Sequence, residues 1–152
     1  ATGYSRAFEE HIVRTIRGMD QIVLYLKYQV EKDGWYLDVP KMIAEKRFEG
    51  QPFVQLGVAN ANGDVVANNI VPFVQANVRD RDHFVVHQAA DTKKLFISRP
   101  VLARVSGKWS IQLSRRINKP DGSFGGIALS SIDPYYLADF YKLVNLGKKY
   151  SI

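Results

Sequence analysis

The sequence contains no cysteine, which excludes disulfide bonds, thiolate metal sites and cysteine catalysis. It also lacks long apolar runs, and none approaches the roughly 20 residues that a membrane-spanning helix requires. Catalytic motifs are absent too: no GxSxG motif occurs, and Gly107-Lys108 lacks the upstream glycine and the following serine or threonine of a phosphate-binding loop. We therefore expect a domain that is not an enzyme.

Positive charge is in excess but is not clustered. The chain carries 21 lysines and arginines against 15 acidic residues, a formal net charge of +6, yet no cationic run exceeds two residues. Such a diffuse charge attracts anions only weakly, and nucleic-acid-binding proteins concentrate theirs in a stripe or a recognisable module. We expect no nucleic-acid partner. Arg115 and Arg116 alternate across one predicted strand and cannot grip one phosphate together, so we expect both to be solvated.

The first 34 residues predict one long helix. Between Tyr4 and Lys32 there is no proline and a single glycine, Gly18. Six apolar residues recur there at alternating spacings of four and three: Ile12, Ile16, Met19, Val23, Leu26 and Val30. This apolar stripe is typical of a helix that buries one side, and Gly34 suits the left-handed position after its end. Two interpretations stay open: the stripe packs only on the domain's own core, or the helix also forms a homodimer seam.

Residues 35–152 predict an α+β core, and the whole chain, 1–152, predicts a single domain. Five antiparallel strands are expected, over residues 53–60, 64–68, 95–105, 109–117 and 124–133. A type I′ turn at Asn62-Gly63 would join the first two, and Pro100 marks the third as an edge or bulged strand. The remainder predicts short helices on the sheet faces, beginning after Asp38, at Arg81 and at Pro134.

The last two predicted strands divide into a polar face and an apolar face. If the turn at 120–122 has two or four residues, even positions of the fourth strand pair with odd positions of the fifth, and paired residues share a face. One face then carries mostly polar side chains: Ser110, Gln112, Ser114, Leu129, Ser131 and Asp133. Covered polar groups need partners, which a ligand, ordered water or a covering loop would supply. A three-residue turn would change this pairing.

Four segments together are similar to one known family: DRDHFVVH (80–87), LFISRPVLARVSGKWSIQLSRRI (95–117), DGSFGGIALSSIDPYYLADFY (121–141) and VNLG (144–147). The chain resembles the extracytoplasmic PAS-like sensor domains called Cache or PDC domains. The resemblance covers essentially the whole chain. It implies a PAS-like fold, which is a five-stranded antiparallel sheet with a long N-terminal helix and short helices on its faces.

The resemblance also implies a function. Such a domain is periplasmic or extracellular, is tethered to the membrane and binds a small solute, here expected to be anionic or zwitterionic. The cytoplasmic part of the receptor is a histidine kinase, a diguanylate cyclase or a chemoreceptor signalling rod. Because the chain opens inside a predicted helix, it is expected to be a single or distal module excised from a longer protein. The alternative is a structural dimerisation module without a ligand. No cofactor or metal is implied.

The resemblance extends to a binding motif. Relatives that bind amino acids carry Arg-x-Trp-Tyr on the short helix, whose arginine holds a carboxylate, and an aspartate after the fifth strand that holds the amine. Arg81-Asp82-His83-Phe84 and Asp133 stand at these places, so the arginine and the aspartate match and the two aromatic positions differ. Together with the polar face, this gives the expected ligand-binding residues: Arg81, His83, Phe84, Arg99, Ser110, Gln112, Ser131 and Asp133. A zinc site at His83 and His87 is an alternative with only two ligands.

Overall fold

The long helix, α1, spans Ser5–Asp33 of the computed structural model, which describes residues 5–45, 48, 50–136 and 149. The long helix predicted from the sequence is therefore confirmed. The chain leaves the helix at Gly34, whose φ of 89° is the left-handed conformation expected there. The Gly34 N–H donates a hydrogen bond to the Val30 carbonyl oxygen at 2.8 Å, which satisfies a carbonyl of the last helical turn.

The apolar stripe of α1 faces the domain's own sheet. All six of its residues are at most 5% exposed, and they share one core cluster with Leu56, Ile111 and Leu113 of the strands. The exposed side of the helix is mostly polar, as at Glu10 and Gln21, with Tyr28 as an exposed aromatic residue. The stripe is therefore buried within the domain. No helix in the described ranges combines the length and the apolarity that crossing a bilayer requires.

The strands of the described chain form one antiparallel sheet, ordered β2-β1-β6-β5-β3, with β4 also paired to β5. The strand bounds are Phe53–Asn60 for β1, Val65–Asn68 for β2, Phe96–Ile97 for β3, Val101–Leu102 for β4, Trp109–Asn118 for β5 and Phe124–Ile132 for β6. The first and last strands in sequence thus lie side by side at the centre. The predicted α+β class and the antiparallel sheet are confirmed.

The third predicted strand, 95–105, is wrong in its extent. The structure divides it into two short strands, β3 and β4, on either side of Pro100. Proline has no N–H to donate to a ladder, and here it interrupts the edge of the sheet. The chain then turns back, because Ala103 N–H donates to the Lys108 carbonyl oxygen and Gly107 N–H to the Ala103 carbonyl oxygen, both at 3.0 Å. Residues 103–105 are therefore not part of the sheet.

The turn between β1 and β2 is not the predicted type I′ turn. Gly63 has a positive φ of 86°, but Asn62 does not have a positive φ. Gly63 N–H donates to the Asn60 carbonyl oxygen, and Asn60 N–H to the Asp64 carbonyl oxygen, both at 2.9 Å. These bonds close a loop of residues 61–63, the three-residue hairpin in which a left-handed glycine follows a type I turn. Asn60 Oδ1 favours it by accepting the Asn62 N–H at 3.0 Å.

The turn between β5 and β6 also has three residues, which is the case that should change the predicted strand pairing. Lys119 N–H donates to the Ser123 carbonyl oxygen at 2.9 Å, and Gly122 N–H donates to the Lys119 carbonyl oxygen at 2.8 Å. Gly122 has a φ of 85°, as the last position of such a loop requires. The assumed turn length of two or four residues is therefore wrong.

A β-bulge nevertheless restores the predicted pairing. The register shifts between Ile117 and Asn118, where Glu31 of α1 accepts a hydrogen bond from the Asn118 N–H at 2.8 Å. Beyond the bulge, Gln112 pairs with Ser131. One extra residue in the turn and one in the bulge together leave the side-chain parity as predicted. The polar and apolar faces of these two strands are confirmed.

Short helical segments complete the described chain. Helix α2 spans Val39–Ala44 and is capped by Asp38, whose Oδ1 accepts the Lys41 N–H at 3.0 Å. Helix α3 spans Asp82–Ala89 and covers the polar face of the sheet. A 3-10 helix spans Pro134–Tyr136, and the rest of the predicted closing helix lies outside the described residues.

Candidate ligand-binding site

A row of three buried polar side chains crosses the sheet on the face that α3 covers. Gln55 of β1, Ser131 of β6 and Gln112 of β5 are directly paired and are 0% to 4% exposed. The Gln112 side-chain amide donates to Ser110 Oγ at 3.1 Å. Ser131 Oγ, in contrast, has no hydrogen-bond partner among the described residues. Because buried polar groups are normally paired, the row has hydrogen-bonding capacity left for a ligand.

A small cavity lies over this row. Its polar lining consists of Gln55, Arg81, His83, Arg104 and Gln112, and its other walls are apolar. The volume open to the centre of a water-sized sphere is about 20 Å³, which is room for roughly one water molecule. Ligand pockets usually measure about 300–1,000 Å³. The cavity is therefore contracted, and a solute of amino-acid size requires it to open.

The segment around β4 forms the roof of the cavity, and a hydrogen bond from Arg81 attaches it to the start of α3. Val101, Ala103 and Val105 line the cavity from this segment. Arg81 stands directly before α3 in an extended conformation, and its Nη2 donates to the Leu102 carbonyl oxygen at 2.9 Å. No carboxylate in the described chain forms an ion pair with Arg81. The guanidinium thus lies at the cavity with only a neutral oxygen as its partner.

A second arginine, Arg104, ties the roof to the loop before α3. Its Nη1 donates to the Asn77 carbonyl oxygen at 2.7 Å, and its Nη2 donates to Asp80 Oδ2 at 2.8 Å. This hydrogen bond holds the pKa of the Asp80 carboxyl well below its usual range. The side chains are 37% and 65% exposed, so solvent weakens this ion pair. The roof is therefore held toward α3 by side-chain contacts, and its pairing with β5 attaches it to the sheet.

His83 is the buried titratable group of the cavity. It is 4% exposed, and burial, followed by the positive charge of Arg81, lowers its pKa from 6.5 to about 4. The imidazole is therefore neutral at pH 7, while the neighbouring Arg81 and Arg104 are charged. Because Arg104 is paired with Asp80, Arg81 is the one cavity cation without an acidic partner among the described residues, and the described lining contains no acidic side chain. This electrostatic arrangement favours an anion.

Three of the eight expected site residues, Arg81, His83 and Gln112, line the cavity. Three more are buried close to it. Ser110 and Ser131 are 0% exposed in the sheet. Phe84 is also 0% exposed, but its ring packs edge-on against Phe124 with the centroids 5.1 Å apart. Phe84 therefore belongs to the core under α3 rather than to the cavity wall.

The remaining two expected residues, Arg99 and Asp133, lie outside the cavity. Both are exposed. Asp133 Oδ1 accepts a hydrogen bond from the Tyr135 N–H at 2.9 Å, so the carboxylate caps the 3-10 helix. The structure thus places the matching arginine of the expected motif at the cavity and the matching aspartate at the end of β6, outside the lining.

Among the polar residues of the cavity, the sequence analysis missed two, Gln55 and Arg104. Gln55 is a polar residue in an otherwise apolar strand, and that pattern could have identified it once β1 was paired with β6. Arg104 lies in the segment predicted to be strand. Only the turn that follows β4 brings it over the cavity, and the sequence analysis did not predict that turn.

The described residues do not support the zinc alternative. Nε2 of His87 lies 3.0 Å from Ser114 Oγ, and the pair is buried. Burial lowers the pKa of His87 to about 4. No group of three or more histidine, cysteine, aspartate or glutamate residues in the described part of the chain is arranged to hold a metal ion.

The fold of the described chain is shared with solved structures of extracellular and ligand-binding domains. No protein-family model matches the chain, and no curated protein matches it in sequence. Solved structures do share its fold. One is the extracellular domain of the putative histidine kinase rpHK1S-Z16, with a TM-score of 0.75 and 24% identity over 91% of this chain. The PAS-like fold implied by the resemblance is confirmed.

Two further solved structures show the same fold at lower identity. The extracellular ligand-binding receptor from Desulfohalobium retbaense superposes with a TM-score of 0.66 at 16% identity over 91% of this chain. The ligand-binding domain of the Pseudomonas aeruginosa amino acid chemoreceptor PctC, in complex with GABA, superposes with a TM-score of 0.56 at 20% identity over 83% of this chain. This chain covers 58%, 25% and 60% of these three proteins, in the order given.

Proposed function

We propose that this domain is an extracytoplasmic sensor that binds a small anionic or zwitterionic solute in the cavity under α3. The observation that carries the proposal is the Arg81 guanidinium, which stands at a buried polar cavity and is bonded only to the Leu102 carbonyl oxygen. A carboxylate would form a charge-assisted, bidentate pair with it and is a stronger partner than a neutral carbonyl. The fold shared with sensor domains of histidine kinases and chemoreceptors supports the proposal.

The other cavity groups suit the rest of such a solute. Gln55 and Gln112 offer amide donors and acceptors from the floor, and the unpaired Ser131 Oγ lies in the same row. His83 is neutral and can donate or accept one hydrogen bond. An ammonium group would find its nearest expected partner, Asp133, only after the end of β6 moves, so the anionic end of the solute is the better-matched one.

Binding would open the roof and thereby produce a signal. When a carboxylate binds Arg81, the guanidinium would give up its hydrogen bond to Leu102. The segment around β4 would then be joined to the α3 side by the contacts of Arg104 alone. A solute that binds only the open arrangement shifts the population toward it. The full-length protein would be a membrane-tethered receptor with this domain in the periplasm or outside the cell. Its cytoplasmic part would be a histidine kinase or a diguanylate cyclase.

Calorimetric titration of the purified domain with amino acids and carboxylates tests this function. We expect one class of solute to bind and to raise the melting temperature, because a ligand that prefers the folded state stabilises it. Arg81→Ala should abolish binding, whereas Arg99→Ala, which removes an exposed arginine outside the cavity, should leave it intact. Equal affinity in wild type and Arg81→Ala would refute the site, and no binding across the panel would refute the function.

The contracted cavity favours a second candidate, a structural dimerisation module that binds no solute. The homodimer expected through α1 would then be the functional state. In this structure the apolar stripe of α1 is buried in its own domain, so a dimer would have to use the polar side of the helix. Sedimentation velocity separates the candidates: a stable dimer without any solute response supports the second, and a monomer that binds carboxylates supports the first.

A further inference from the structure

A second concavity lies at the other end of β5, between α1 and the loop that joins α3 to β3. It measures about 280 Å³ and is lined by charged side chains: Lys27, Asp91, Lys93, Lys94, Arg115 and Arg116. We call it the cationic cleft. Gln112 lines the first cavity and Arg115 is the nearest residue of β5 in the cleft. The two residues are three positions apart along the strand, or about 10 Å.

Two of the five cations in the cleft are neutralised by acidic residues of α1. Lys27 forms an ion pair with Glu31. Arg115 forms a bidentate pair with Asp20, with Nε to Oδ1 at 2.7 Å and Nη2 to Oδ2 at 2.8 Å. Asp20 is 7% exposed, so Arg115 is a structural link between α1 and β5. The prediction that Arg115 is solvated is wrong.

The other three cations have no acidic partner among the described residues. Lys93 and Lys94 form no ion pair there. Arg116 donates only to neutral oxygens, from Nε to Asn118 Oδ1 at 2.8 Å, from Nη1 to the His87 carbonyl oxygen at 3.0 Å and from Nη2 to a turn carbonyl oxygen at 3.2 Å. Asp91 is the one carboxylate in the cleft lining that the structure describes. The lining therefore keeps an excess of positive charge.

Contacts position the Arg116 guanidinium and fix the backbone of Lys93, whereas the side chains of Lys93 and Lys94 are exposed. The guanidinium of Arg116 also lies over the Phe124 ring, 5.5 Å from its centroid. Lys93 has a φ of 58°, a left-handed conformation that is uncommon for lysine. Its carbonyl oxygen accepts a hydrogen bond from Arg115 Nη1 at 3.2 Å, which attaches the loop to β5. Positioned cations lose less conformational freedom when they bind a ligand than mobile ones do.

We propose that the cationic cleft binds a small, multiply charged oxyanion, such as a phosphate-bearing or polycarboxylate solute. A single carboxylate would be satisfied by one arginine, whereas these three cations, offset in the described lining by Asp91 alone, leave a net positive charge that matches an anion with two charges. The volume of about 280 Å³ is close to the lower end of small-ligand pockets. The site is separate from the cavity under α3 and does not depend on its proposed function.

Titration with inorganic phosphate and with citrate, at constant ionic strength, tests the cleft. We expect saturable binding and a rise in melting temperature in the wild-type domain. The double variant Lys93→Gln/Lys94→Gln should weaken binding by about tenfold or more, because it removes two charged donors. Lys119→Gln, which removes an exposed lysine of the β5–β6 turn, is the matched control and should bind like the wild type.

The outcomes separate the cleft from the first cavity. Arg81→Ala should leave phosphate and citrate binding unchanged, even though it abolishes binding in the cavity under α3. The proposal is overturned if neither anion binds, if the double variant binds both as tightly as the wild type, or if the response follows ionic strength when chloride replaces the test anion.

Discussion

The two faces of the sheet are stabilised in different ways. The face toward α1 is a continuous apolar core, in which Leu26, Ile111 and Leu113 are completely buried. The face toward α3 buries Gln112 and Ser114 instead, at 3% and 0% exposure. Apolar area removed from water stabilises the first face throughout. The second face combines a smaller apolar cluster, which includes Phe84, Ile127 and Leu129, with hydrogen bonds that merely replace those made to water.

The comparison indicates that strand parity separates the core under α1 from the lining of the cavity. Consecutive residues of β5 point to opposite faces. Ile111 and Leu113 therefore pack against the helix, and Gln112 between them lines the cavity. A change of packing around the cavity would leave the core under α1 in place. Substitutions on the two faces should have correspondingly different effects.

The largest effect is expected on the α1 face. Leu26→Ala removes a completely buried side chain from the core and should lower the free energy of unfolding by about 2–5 kcal/mol. Gln112→Met, a change of similar volume on the opposite face, should cost about 1 kcal/mol, since it loses one buried hydrogen bond. Urea unfolding measures both. Similar losses for the two variants would contradict the division between the faces.

The α1 face could be predicted from the sequence because its pattern is local and periodic. The stripe from Ile12 to Val30 repeats with the period of a helix, and Gly34 marks its end. The alternation in β5 and β6 also predicted which residues share a face. That prediction held for a reason the sequence analysis did not supply, which is that the three-residue turn and the bulge at Asn118 compensate each other.

The cavity was less predictable, because contacts between distant segments create it. Arg81 was expected because Arg81-Asp82-His83-Phe84 resembles the binding motif of the family. Its bond to Leu102 spans 21 residues of sequence, and the position of Arg104 depends on how the chain turns after Pro100. The bonds of Arg115 to Asp20 span 95 residues. Local periodicity carries no information about such pairs, so their partners had to come from the structure.

A loss of stability that depends on pH is expected on the polar face. His83 and His87 both have their pKa lowered from 6.5 to about 4 by burial. Between pH 6.5 and pH 4 these histidines are protonated in the unfolded chain and neutral in the folded chain. Their contribution to the free energy of unfolding is therefore fully present above pH 6.5 and is lost as the pH falls toward 4. Each histidine contributes about 3 kcal/mol at most.

Urea unfolding at several pH values from 7.5 downward, at intervals of about half a unit, measures this effect. His87→Gln retains a side chain that can bond Ser114 but cannot take up a proton, so the fall in stability with acid should be roughly halved. Leu26→Ala serves as the control from the other face, since it should lower stability equally at every pH. An unchanged pH slope in His87→Gln would contradict the assignment.

The smallest effect distinguishes the two serines of the polar face. Ser110 Oγ accepts a hydrogen bond from the Gln112 side chain, so Ser110→Ala leaves a buried donor unpaired and should cost about 1 kcal/mol. Ser131 Oγ has no partner in the described chain. Ser131→Ala should therefore leave the free energy of unfolding unchanged or raise it slightly, because it removes an unpaired buried group. Equal destabilisation by both variants in urea would show that Ser131 is already satisfied, and that the row it shares with Gln55 and Gln112 has no hydrogen-bonding group left for a solute.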